Sequence, residues 1–295
     1  MTWEWKIGDP VDDANGGSME PENWGHGGSD ENDENIGGHH DSRPDQYGKK
    51  AYDLYMDFRE DEALRYINMA LDLDDMHATN WNRKGIILEA LERYAESEEC
   101  YNRSLELSPT NIVYDNKARM LYDWAAQLLE KSKELSDGRN MLDEAYNKIV
   151  KAMKALPGEN SVEDINKYLG LRDSINFYID YERKYHNNLE TLSKYPKNEL
   201  FTITGRQHYG NVPLIEKAPL RLVKEPVNEF DNDAIAVYSG DEKIGYVANN
   251  DGTKSELTSS ASQLKNEIQD VAEAEFLLYL ERYEDIRFFI GRIIK

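Results

Sequence analysis

Apolar and polar residues alternate with a period of two over short stretches in the last third of the chain. Leu220 and Leu222 follow this pattern, and Ile235 and Val237 repeat it after a connection rich in Pro, Asn and Asp. Alternation of this kind predicts half-buried β-strands. The turn that follows Val237 is typical of a hairpin, so a third strand is expected immediately after it.

Further segments extend this β-rich region to residues 197–295. We predict a first strand at 199–206, the hairpin strand at 243–247, a helix at 256–269, and two long strands at 274–280 and 286–294. Six strands and one helix in about 100 residues suit a small OB-like β-barrel. The predicted fold class is therefore α+β and multidomain, because the region before the barrel has a different periodicity.

Between residues 46 and 195 the apolar residues recur at helical spacing, and the pattern repeats after 34 residues. In the clearest unit, residues 78–111, Gly85, Ser97 and Ser104 place small side chains where two antiparallel helices would approach closely. Pro109 ends the pair. This spacing resembles the tetratricopeptide repeat, so an all-α array of helix pairs is expected.

The flanking segments extend the array. One repeat earlier, residues 44–77 carry small and apolar residues at the same offsets. The third unit departs from the period, because Pro157 follows Pro109 by more than one repeat; a longer first helix over 112–135 accounts for the surplus. A final helical stretch from Ser161 to Pro196 is expected to cap the stack.

Such arrays hold extended peptides on the concave face that their first helices line. The offsets assign to this face Tyr52, Tyr55, Asn82, Ile86 and Glu89. A clamp for a C-terminal carboxylate would require Lys or Arg there, and Thr79, Asn82 and Glu89 supply neither. We therefore predict a groove for an unidentified protein partner, with a simple stalk as the alternative.

Residues 1–45 form an acidic segment, with twelve acidic residues against two basic ones. A segment with so little to bury is expected to be disordered. Trp3, Trp5 and Trp24 do not fit a pure spacer, since aromatic residues in such segments often anchor a partner.

The string Leu222-Val-x-Glu-Pro-x-Asn-x-Phe-Asp-x-x-Ala-Ile-x-Val237, followed by Lys-Ile-Gly-Tyr-Val247, resembles the signature of the HIRAN domain. This small β-barrel occurs alone in prokaryotes and at the N-terminus of eukaryotic helicase-like fork-remodelling ATPases. In members that bind DNA, the resemblance implies a pocket for the 3′ end of a single strand. There an aromatic residue stacks on the terminal base, an Arg contacts phosphate, and a Tyr-Asp pair holds the base and the 3′-hydroxyl.

Carried over residue by residue, the resemblance implies a nucleic-acid site formed by Arg206, Gln207, His208, Tyr209, Phe230 and Asp231. Asp231 matches the family Asp, and Phe230 stands at the Tyr. Gln207 falls at the Arg and His208 at the stacking aromatic residue, so both depart from the pattern. A shift of one residue would instead make Tyr209 the stacking residue or Arg206 the phosphate ligand, and the sequence leaves both registers open.

Charge limits what such a site can do. The net charge of −22 and the pI near 4.7 argue against long-range attraction to nucleic acid. From residue 197 to 224, however, five basic residues stand against two acidic ones. A weak binder of single-strand ends is compatible with this balance, whereas a tight duplex binder is not.

No motif of an enzyme is recognisable, and we predict no cofactor and no metal site. Cys100 is the only cysteine, which excludes a disulfide framework or a thiolate zinc site. The sequence contains no apolar run of membrane-span length, and a cytoplasmic protein is expected.

Two functions are compatible with these patterns. The first is a non-enzymatic adaptor that binds single-stranded DNA 3′ ends or damaged DNA through the barrel, as in DNA repair, and a protein through the array. The second is a scaffold for protein–protein interaction alone, whose barrel no longer binds DNA.

Overall fold

The computed structural model describes residues 42–135, 137–157, 162–209, 212–282 and 286–294. The acidic segment predicted at residues 1–45 lies outside this range except for its last four residues. Three of these already belong to the first helix, in which Pro44 stands close to the N-terminus. Proline is tolerated there because the first N–H groups of a helix have no intrahelical partner.

Seven helices form the N-terminal part of the described chain. In order they are α1 (Arg43–Met56), α2 (Glu60–Leu73), α3 (Ala78–Ala90), α4 (Tyr94–Leu107), α5 (Asn111–Glu134), α6 (Arg139–Ala155) and α7 (Val162–Ser193). Contacts are most extensive within the pairs α1 and α2, α3 and α4, and α5 and α6. The predicted array of tetratricopeptide-like helix pairs is thereby confirmed.

Small residues allow α3 and α4 to pack closely. The Ser97 hydroxyl donates to the carbonyl oxygen of Gly85 at 2.8 Å, and the Ser104 hydroxyl donates to that of Ala78 at 2.9 Å. The end of one helix thus meets the start of the other, so the pair is antiparallel. A Cβ atom added at Gly85 would lie 2.7 Å from the ring of Tyr101, which is closer than van der Waals contact allows. Any larger residue at this position would therefore displace the buried ring.

The third pair keeps the repeat register and differs in length. The Asn116 side-chain amide in α5 donates to the side-chain oxygen of Asn82 in α3, 34 residues earlier, at 3.1 Å. α5 has 24 residues where α3 has 13, and the surplus therefore lies at its C-terminal end. This explains why Pro157 follows Pro109 by more than one repeat.

Six strands form a closed antiparallel barrel after the helices. They are β1 (Leu200–Thr204), β2 (Pro219–Lys224), β3 (Ile235–Ser239), β4 (Glu242–Val247), β5 (Val271–Arg282) and β6 (Ile286–Ile293). Around the barrel their order is β1-β4-β3-β2-β5-β6, so every strand pairs on both sides. The predicted fold class, a helical array followed by a small six-stranded barrel, is confirmed.

The barrel interior is filled by the alternating apolar residues. Leu222 and Val237 are fully buried, as are the rings of Phe201 and Phe276. Gly291 in β6 makes room for Phe201, because a Cβ atom there would lie 2.3 Å from the Phe201 ring. The period-two pattern therefore identified the buried face correctly.

The helix predicted at 256–269 is wrong in length: α8 comprises only Ala261–Leu264. The preceding residues instead run beside β1, where the Ser259 amide donates to the Leu200 carbonyl at 2.9 Å. A helix can begin only after this contact, at Ser260, whose side chain forms a capping box with Gln263.

α7 connects the helical array to the barrel. Leu192, near its C-terminal end, is buried with Leu200 of β1 and Leu277 of β5. The Asn188 side-chain amide donates to the carbonyl oxygen of Tyr279 at 2.8 Å. A long helix thus serves both as the last element of the array and as a support for two barrel strands.

Candidate functional site

The loop between β2 and β3 is held in shape by the side chain of Asn228. Its carboxamide oxygen accepts hydrogen bonds from the backbone amides of Phe230 at 2.9 Å and Asp231 at 3.2 Å. Its amide group donates to Glu225 at 2.9 Å and to the Tyr246 hydroxyl at 3.3 Å. One side chain therefore ties the tip of the loop to the barrel wall.

Two apolar side chains project from this loop into solvent. Phe230 is 94% exposed and Val227 is 92% exposed. Singly exposed apolar side chains are common on protein surfaces, so the exposure by itself identifies no ligand. Phe230 is nevertheless available to stack on a planar ligand.

Asp231 closes the turn before β3. One carboxylate oxygen accepts from the Asp233 amide at 2.8 Å, and the other accepts from the Asn249 side chain at 2.9 Å. Asn249 is fixed in turn, because its side-chain oxygen accepts from the Ser262 amide at 3.0 Å. Each carboxylate oxygen of Asp231 keeps a lone pair for a further donor.

A polar network below the loop joins β2 and β4. The Lys243 ammonium donates to Glu225 at 2.7 Å and to the hydroxyl of Tyr246, which itself donates to Glu225 at 3.0 Å. The Tyr209 ring lies edge-on to Tyr246, with 6.1 Å between the ring centroids. Tyr209 is thus linked to the loop through Tyr246 and Asn228.

The network shifts the charges of its members. Partial burial opposes ionisation of Lys243, but hydrogen bonds to Glu225 and Tyr246 prevail and raise the pKa of Lys243 well above its ordinary value. Burial would likewise raise the pKa of Glu225, and the hydrogen bonds it accepts from Lys243, Asn228 and Tyr246 lower it instead. Both groups are therefore charged at neutral pH.

A 3₁₀ turn, Arg206–His208, follows β1 and carries the other predicted site residues. Gly205 precedes it with a φ of 75°, a left-handed conformation that glycine adopts without strain. Gln207 and His208 are exposed, and their side-chain nitrogens lie 3.2 Å apart. Tyr209 is half-buried at the end of the turn.

Arg206 points away from the loop. Its guanidinium donates to the Val212 carbonyl at 2.7 Å and lies 4.8 Å from the centre of the Phe289 ring. The Nη1 atom is buried and has no hydrogen-bond partner in the described part of the chain. A guanidinium nitrogen in this position can donate to water or to an anion.

Two clefts flank the 3₁₀ turn. One, of about 660 Å³, lies between the turn and residues 251–256; the other, of about 520 Å³, extends towards Tyr279. Arg206, Gln207, Arg287 and Phe289 line both clefts. An extended ligand can thus reach the turn from either side.

The barrel therefore gathers Tyr209, Phe230 and Asp231 around one hydrogen-bonded network, whereas Arg206 lies beneath the clefts. Sequence reasoning missed Asn228, Lys243 and Asn249. An Asn two residues before a tight turn is a known signal for a side chain that bonds the backbone ahead of it, and it could have identified Asn228. Lys243 and Asn249 carry no local signal of their contacts.

In the helical array, two of the five predicted groove residues are buried. Asn82 is 3% exposed and bonded to Asn116, and Ile86 is 6% exposed within the core. Adjacent first helices pack directly on one another at these offsets, which removes the two side chains from the surface. Tyr52, Tyr55 and Glu89 lie at least partly at the surface.

One group of side chains near α7 has the composition of metal ligands. Asp137, Glu182 and His186 place one potential ligand atom each within 4.8 Å of one another. Asp137 is also held by Arg139, which donates to both of its carboxylate oxygens at 2.9 and 2.7 Å. An ion-pair cluster accounts for this arrangement. Over the described residues, no helix is long and apolar enough to cross a membrane.

A profile of the tetratricopeptide repeat family matches residues 78–111, the unit that the sequence pattern had delimited. The uncharacterized protein MJ0572 of Methanocaldococcus jannaschii is 33% identical to the chain over 73 residues, which is 25% of this chain and 79% of that protein.

Among solved structures, the Yersinia enterocolitica type III secretion chaperone SycD with a peptide of the translocator YopD is 15% identical. The match has a TM-score of 0.33 and covers 45% of this chain and 92% of that one. The first TPR of Spaghetti (RPAP3) bound to an HSP90 peptide is also 15% identical, with a TM-score of 0.34, over 48% of this chain and 99% of that one. Likenesses at these scores carry no further conclusion.

Proposed function

The chain belongs to the family of the uncharacterized protein MJ0572 of M. jannaschii, and we propose that it is a non-enzymatic adaptor. In this proposal the barrel binds the 3′ end of single-stranded DNA, as in DNA repair, and the helical array binds a protein. The resemblance of residues 219–250 to the HIRAN signature is part of the same proposal. The name of the relative contributes no activity to it.

The observation that carries the proposal is the exposed ring of Phe230 beside the fixed carboxylate of Asp231. A base that stacks on an aromatic ring gains about 1 to 3 kcal/mol regardless of sequence. A carboxylate next to that base can accept a hydrogen bond from a 3′-hydroxyl, which exists only at a strand end. Asn228 holds the backbone that carries the two groups by accepting hydrogen bonds from both backbone amides.

The cations of the barrel supply the phosphate contacts. Arg206 lines both clefts and can donate to a phosphate there, and Gln207 and His208 are exposed next to it. Arg287 lines both clefts but pairs with Glu281 at 3.1 Å. Few cations are thus available, and the chain carries a net charge of −22, so the expected binding is weak and strongly dependent on salt.

The array is the protein-binding half of the adaptor. Helix pairs of the tetratricopeptide type bury a core only between neighbouring repeats and leave the face of their first helices for a partner. Tyr52, Tyr55 and Glu89 remain at this face, on α1 and α3. Any catalysis is expected to come from a partner in trans.

The test is fluorescence anisotropy of the full chain at low salt with a labelled single strand. The strand carries either a free 3′-hydroxyl or a 3′-phosphate. Asp231→Asn removes the charged acceptor and keeps a side chain of the same size, so it should weaken binding to the hydroxyl strand and erase the preference between the two ends. Asp241→Asn, in the exposed β3–β4 turn, is the matched control.

Binding that requires the hydroxyl and Asp231 would support end recognition. Equal binding to both strands that is unchanged in Asp231→Asn would contradict end recognition. It would mean that the barrel contacts only the phosphate backbone, independently of sequence. No binding to any strand would contradict the nucleic-acid half altogether and leave a scaffold for protein–protein interaction.

A further inference from the structure

Four lysines lie where α4, α5 and α6 meet. Lys117 is on α5, and Lys148, Lys151 and Lys154 follow one another on α6 at intervals of three residues, which places them along one side of that helix. We call these four residues the lysine patch. The patch concentrates positive charge in a chain whose net charge is −22.

Glu98 of α4 is the carboxylate that the patch surrounds. It accepts hydrogen bonds from the ammonium groups of Lys148 at 3.1 Å and Lys151 at 3.0 Å. Burial would raise the pKa of Glu98, but these two hydrogen bonds prevail and lower it. Glu98 is therefore ionised at neutral pH and balances one of the lysines.

Lys117 has no carboxylate within ion-pair distance in the part of the chain that the structure describes. Its ammonium donates instead to the neutral side-chain oxygen of Asn102, one turn from Glu98 on α4, at 2.6 Å. Burial lowers the pKa of Lys117, Glu98 raises it and Lys151 lowers it, and the net effect disfavours the positive charge. A second anion placed beside Lys117 would therefore relieve an unfavourable environment.

The patch has an excess of positive charge. Its four lysines stand against two carboxylates, Glu98 and Glu144, the latter one turn before Lys148 on α6. Glu106, further along α4, is paired with Arg103 at 3.1 Å and adds no net charge. Two lysines thus remain without a carboxylate of their own.

The patch is open to solvent and lies on a different side of the array from the face of the first helices. The Lys151 side chain is 55% exposed, and Lys154 is exposed as well. On α5, Lys117 and Arg119 are two residues apart and so point to different sides of the helix. Arg119 faces Glu89 of α3, whereas Lys117 faces α4. A ligand on the patch would therefore leave the face of the first helices free.

We propose that the lysine patch binds an acidic segment of a partner protein, whose carboxylates pair with Lys117 and Lys151. This inference goes beyond the proposed function, because the patch lies outside the face assigned there to the protein partner. Carboxylates suit the patch, since Glu98 is already held between two of its ammonium groups. An added carboxylate would find a half-buried cation at Lys117 and an exposed one at Lys151.

Nucleic acid fits the patch less well. Single strands bind where their bases can stack on free aromatic rings. The ring at the patch, that of Trp124, is engaged within the chain: the Tyr94 ring stacks on it at 5.8 Å, and the Lys148 ammonium lies 3.3 Å from its centre. Duplex binding needs a larger set of phosphate contacts than an excess of two cations provides.

The test is isothermal titration calorimetry of the full chain at low salt. The probes are a Gly-Ser peptide that contains several Glu residues, the same peptide with Gln at those positions, and an oligothymidine with the same number of charges. The Glu peptide should bind, and Lys117→Gln and Lys151→Gln should each weaken it about three- to fivefold. Lys131→Gln changes the net charge equally at an exposed position of α5, roughly 20 Å from Lys117, and should leave the affinity unchanged.

An equal loss of affinity in Lys131→Gln would mean that the peptide responds only to the net charge, and would overturn the inference. Equal binding of the Gln peptide would overturn it too. Oligothymidine that binds as tightly as the Glu peptide, with the same sensitivity to Lys117→Gln, would make the patch a general anion site rather than a site for acidic protein segments.

The titration is repeated with a chain that begins at Ser42, because residues 1–41 hold eleven acidic residues against one basic residue. Binding that appears only in this shorter chain would assign the patch to the chain's own acidic residues and overturn the choice of a separate partner. Absence of binding in both chains would overturn the inference altogether. It would leave the proposed function intact, since strand binding by the barrel is measured separately.

Discussion

The carboxamide of Asn228 acts as hydrogen-bond acceptor and donor at the same time. Its oxygen holds the backbone amides of Phe230 and Asp231, and its nitrogen reaches Glu225 and Tyr246. Side chains that bond the backbone of a loop replace the hydrogen bonds that regular secondary structure would supply. The backbone position of the exposed Phe230 therefore depends on the side chain of Asn228.

Asn228→Ala should loosen this loop. The variant leaves two backbone amides without their acceptor, and we expect a loss of about 1 to 2 kcal/mol in the free energy of unfolding. Hydrogen exchange at Phe230 and Asp231 should accelerate. Asn232→Ala, an exposed asparagine of the same loop, should leave both quantities unchanged; equal effects of the two variants would remove the special role of Asn228.

Lys243→Met tests the charge network below the loop. The folded pKa of Glu225 lies below its ordinary value of 4.5, so its contribution to stability is present above that pH and is lost as the pH falls through the folded pKa. The folded pKa of Lys243 lies above its ordinary 10.5, so its contribution is complete below that pH and is lost only as the pH rises past the folded pKa.

The variant should therefore be about 1 kcal/mol less stable than the wild type at pH 7. The difference should shrink as the solution is acidified below the range in which carboxyl groups ionise. Urea unfolding of the two proteins at several pH values measures it. A difference that stays constant down to strong acid would mean that Lys243 acts by packing alone.

At the scale of elements, two glycines in helices differ in whether the packing around them requires a residue without a side chain. Gly85 in α3 lies against the Tyr101 ring, whereas nothing lies within 4 Å of a Cβ atom added at Gly170 in α7. Glycine costs a helix about 0.5 to 1 kcal/mol relative to alanine unless close packing requires it. Only the first of the two is required by the fold.

Gly85→Ala should destabilise the array by about 1 to 3 kcal/mol, because the new methyl group displaces a buried ring. Gly170→Ala should stabilise the chain by about 0.5 to 1 kcal/mol, since it only removes backbone freedom from the unfolded state. Thermal unfolding of both variants provides the comparison. A stabilising Gly85→Ala would contradict the packing of α3 on α4.

The elements that the sequence predicted are those in which one local pattern decides the structure. The 34-residue period predicted the helix pairs. The period-two alternation predicted the buried faces of β2 and β3, which carry Leu222 and Val237. The helix predicted at 256–269 was wrong because β1 captures the chain up to Ser259, a contact between residues nearly 60 positions apart. No local pattern contains that information.

The site was predictable to a smaller extent, for a related reason. The turn chemistry of Asp231 is local, so its bond to the Asp233 amide could be expected, whereas its bond to the side chain of Asn249 could not. The depth of Asn82 and the direction of Arg206 depend on what packs over them, which the offset in a repeat or a strand does not determine. The sequence also left open whether Arg206 or Gln207 is the phosphate ligand and whether His208 or Tyr209 is the stacking residue. Tertiary packing decides this choice too.

For the molecule as a whole, α7 is the element that joins the two kinds of structure. Leu192 is 2% exposed between the helix and the barrel, and Asn188 bonds the backbone of β5. β5 carries Tyr279, whose ring meets that of Phe289 at 5.2 Å, and Phe289 lies under Arg206. A continuous set of contacts therefore runs from the array to the 3₁₀ turn.

Leu192→Ala should weaken this junction. Truncation of a buried leucine costs about 2 to 5 kcal/mol, and the barrel and the array should then unfold in separate transitions. Differential scanning calorimetry distinguishes one transition from two. Ile165→Ala, an exposed position on the same helix, should change the midpoint little; a single unshifted transition in Leu192→Ala would show that the junction contributes nothing to stability.

The central claim is that the barrel binds single-stranded nucleic acid by stacking on Phe230, and one pair of variants tests it most directly. The affinity of the full chain for a 3′-hydroxyl strand is measured for the wild type, Phe230→Ala and Val227→Ala. Both variants remove an apolar side chain that is more than nine-tenths exposed in the same loop. Loss of about 1 to 3 kcal/mol of binding free energy in Phe230→Ala, with no change in Val227→Ala, is the predicted result. Equal affinities in all three proteins, or equal losses in both variants, would contradict the claim.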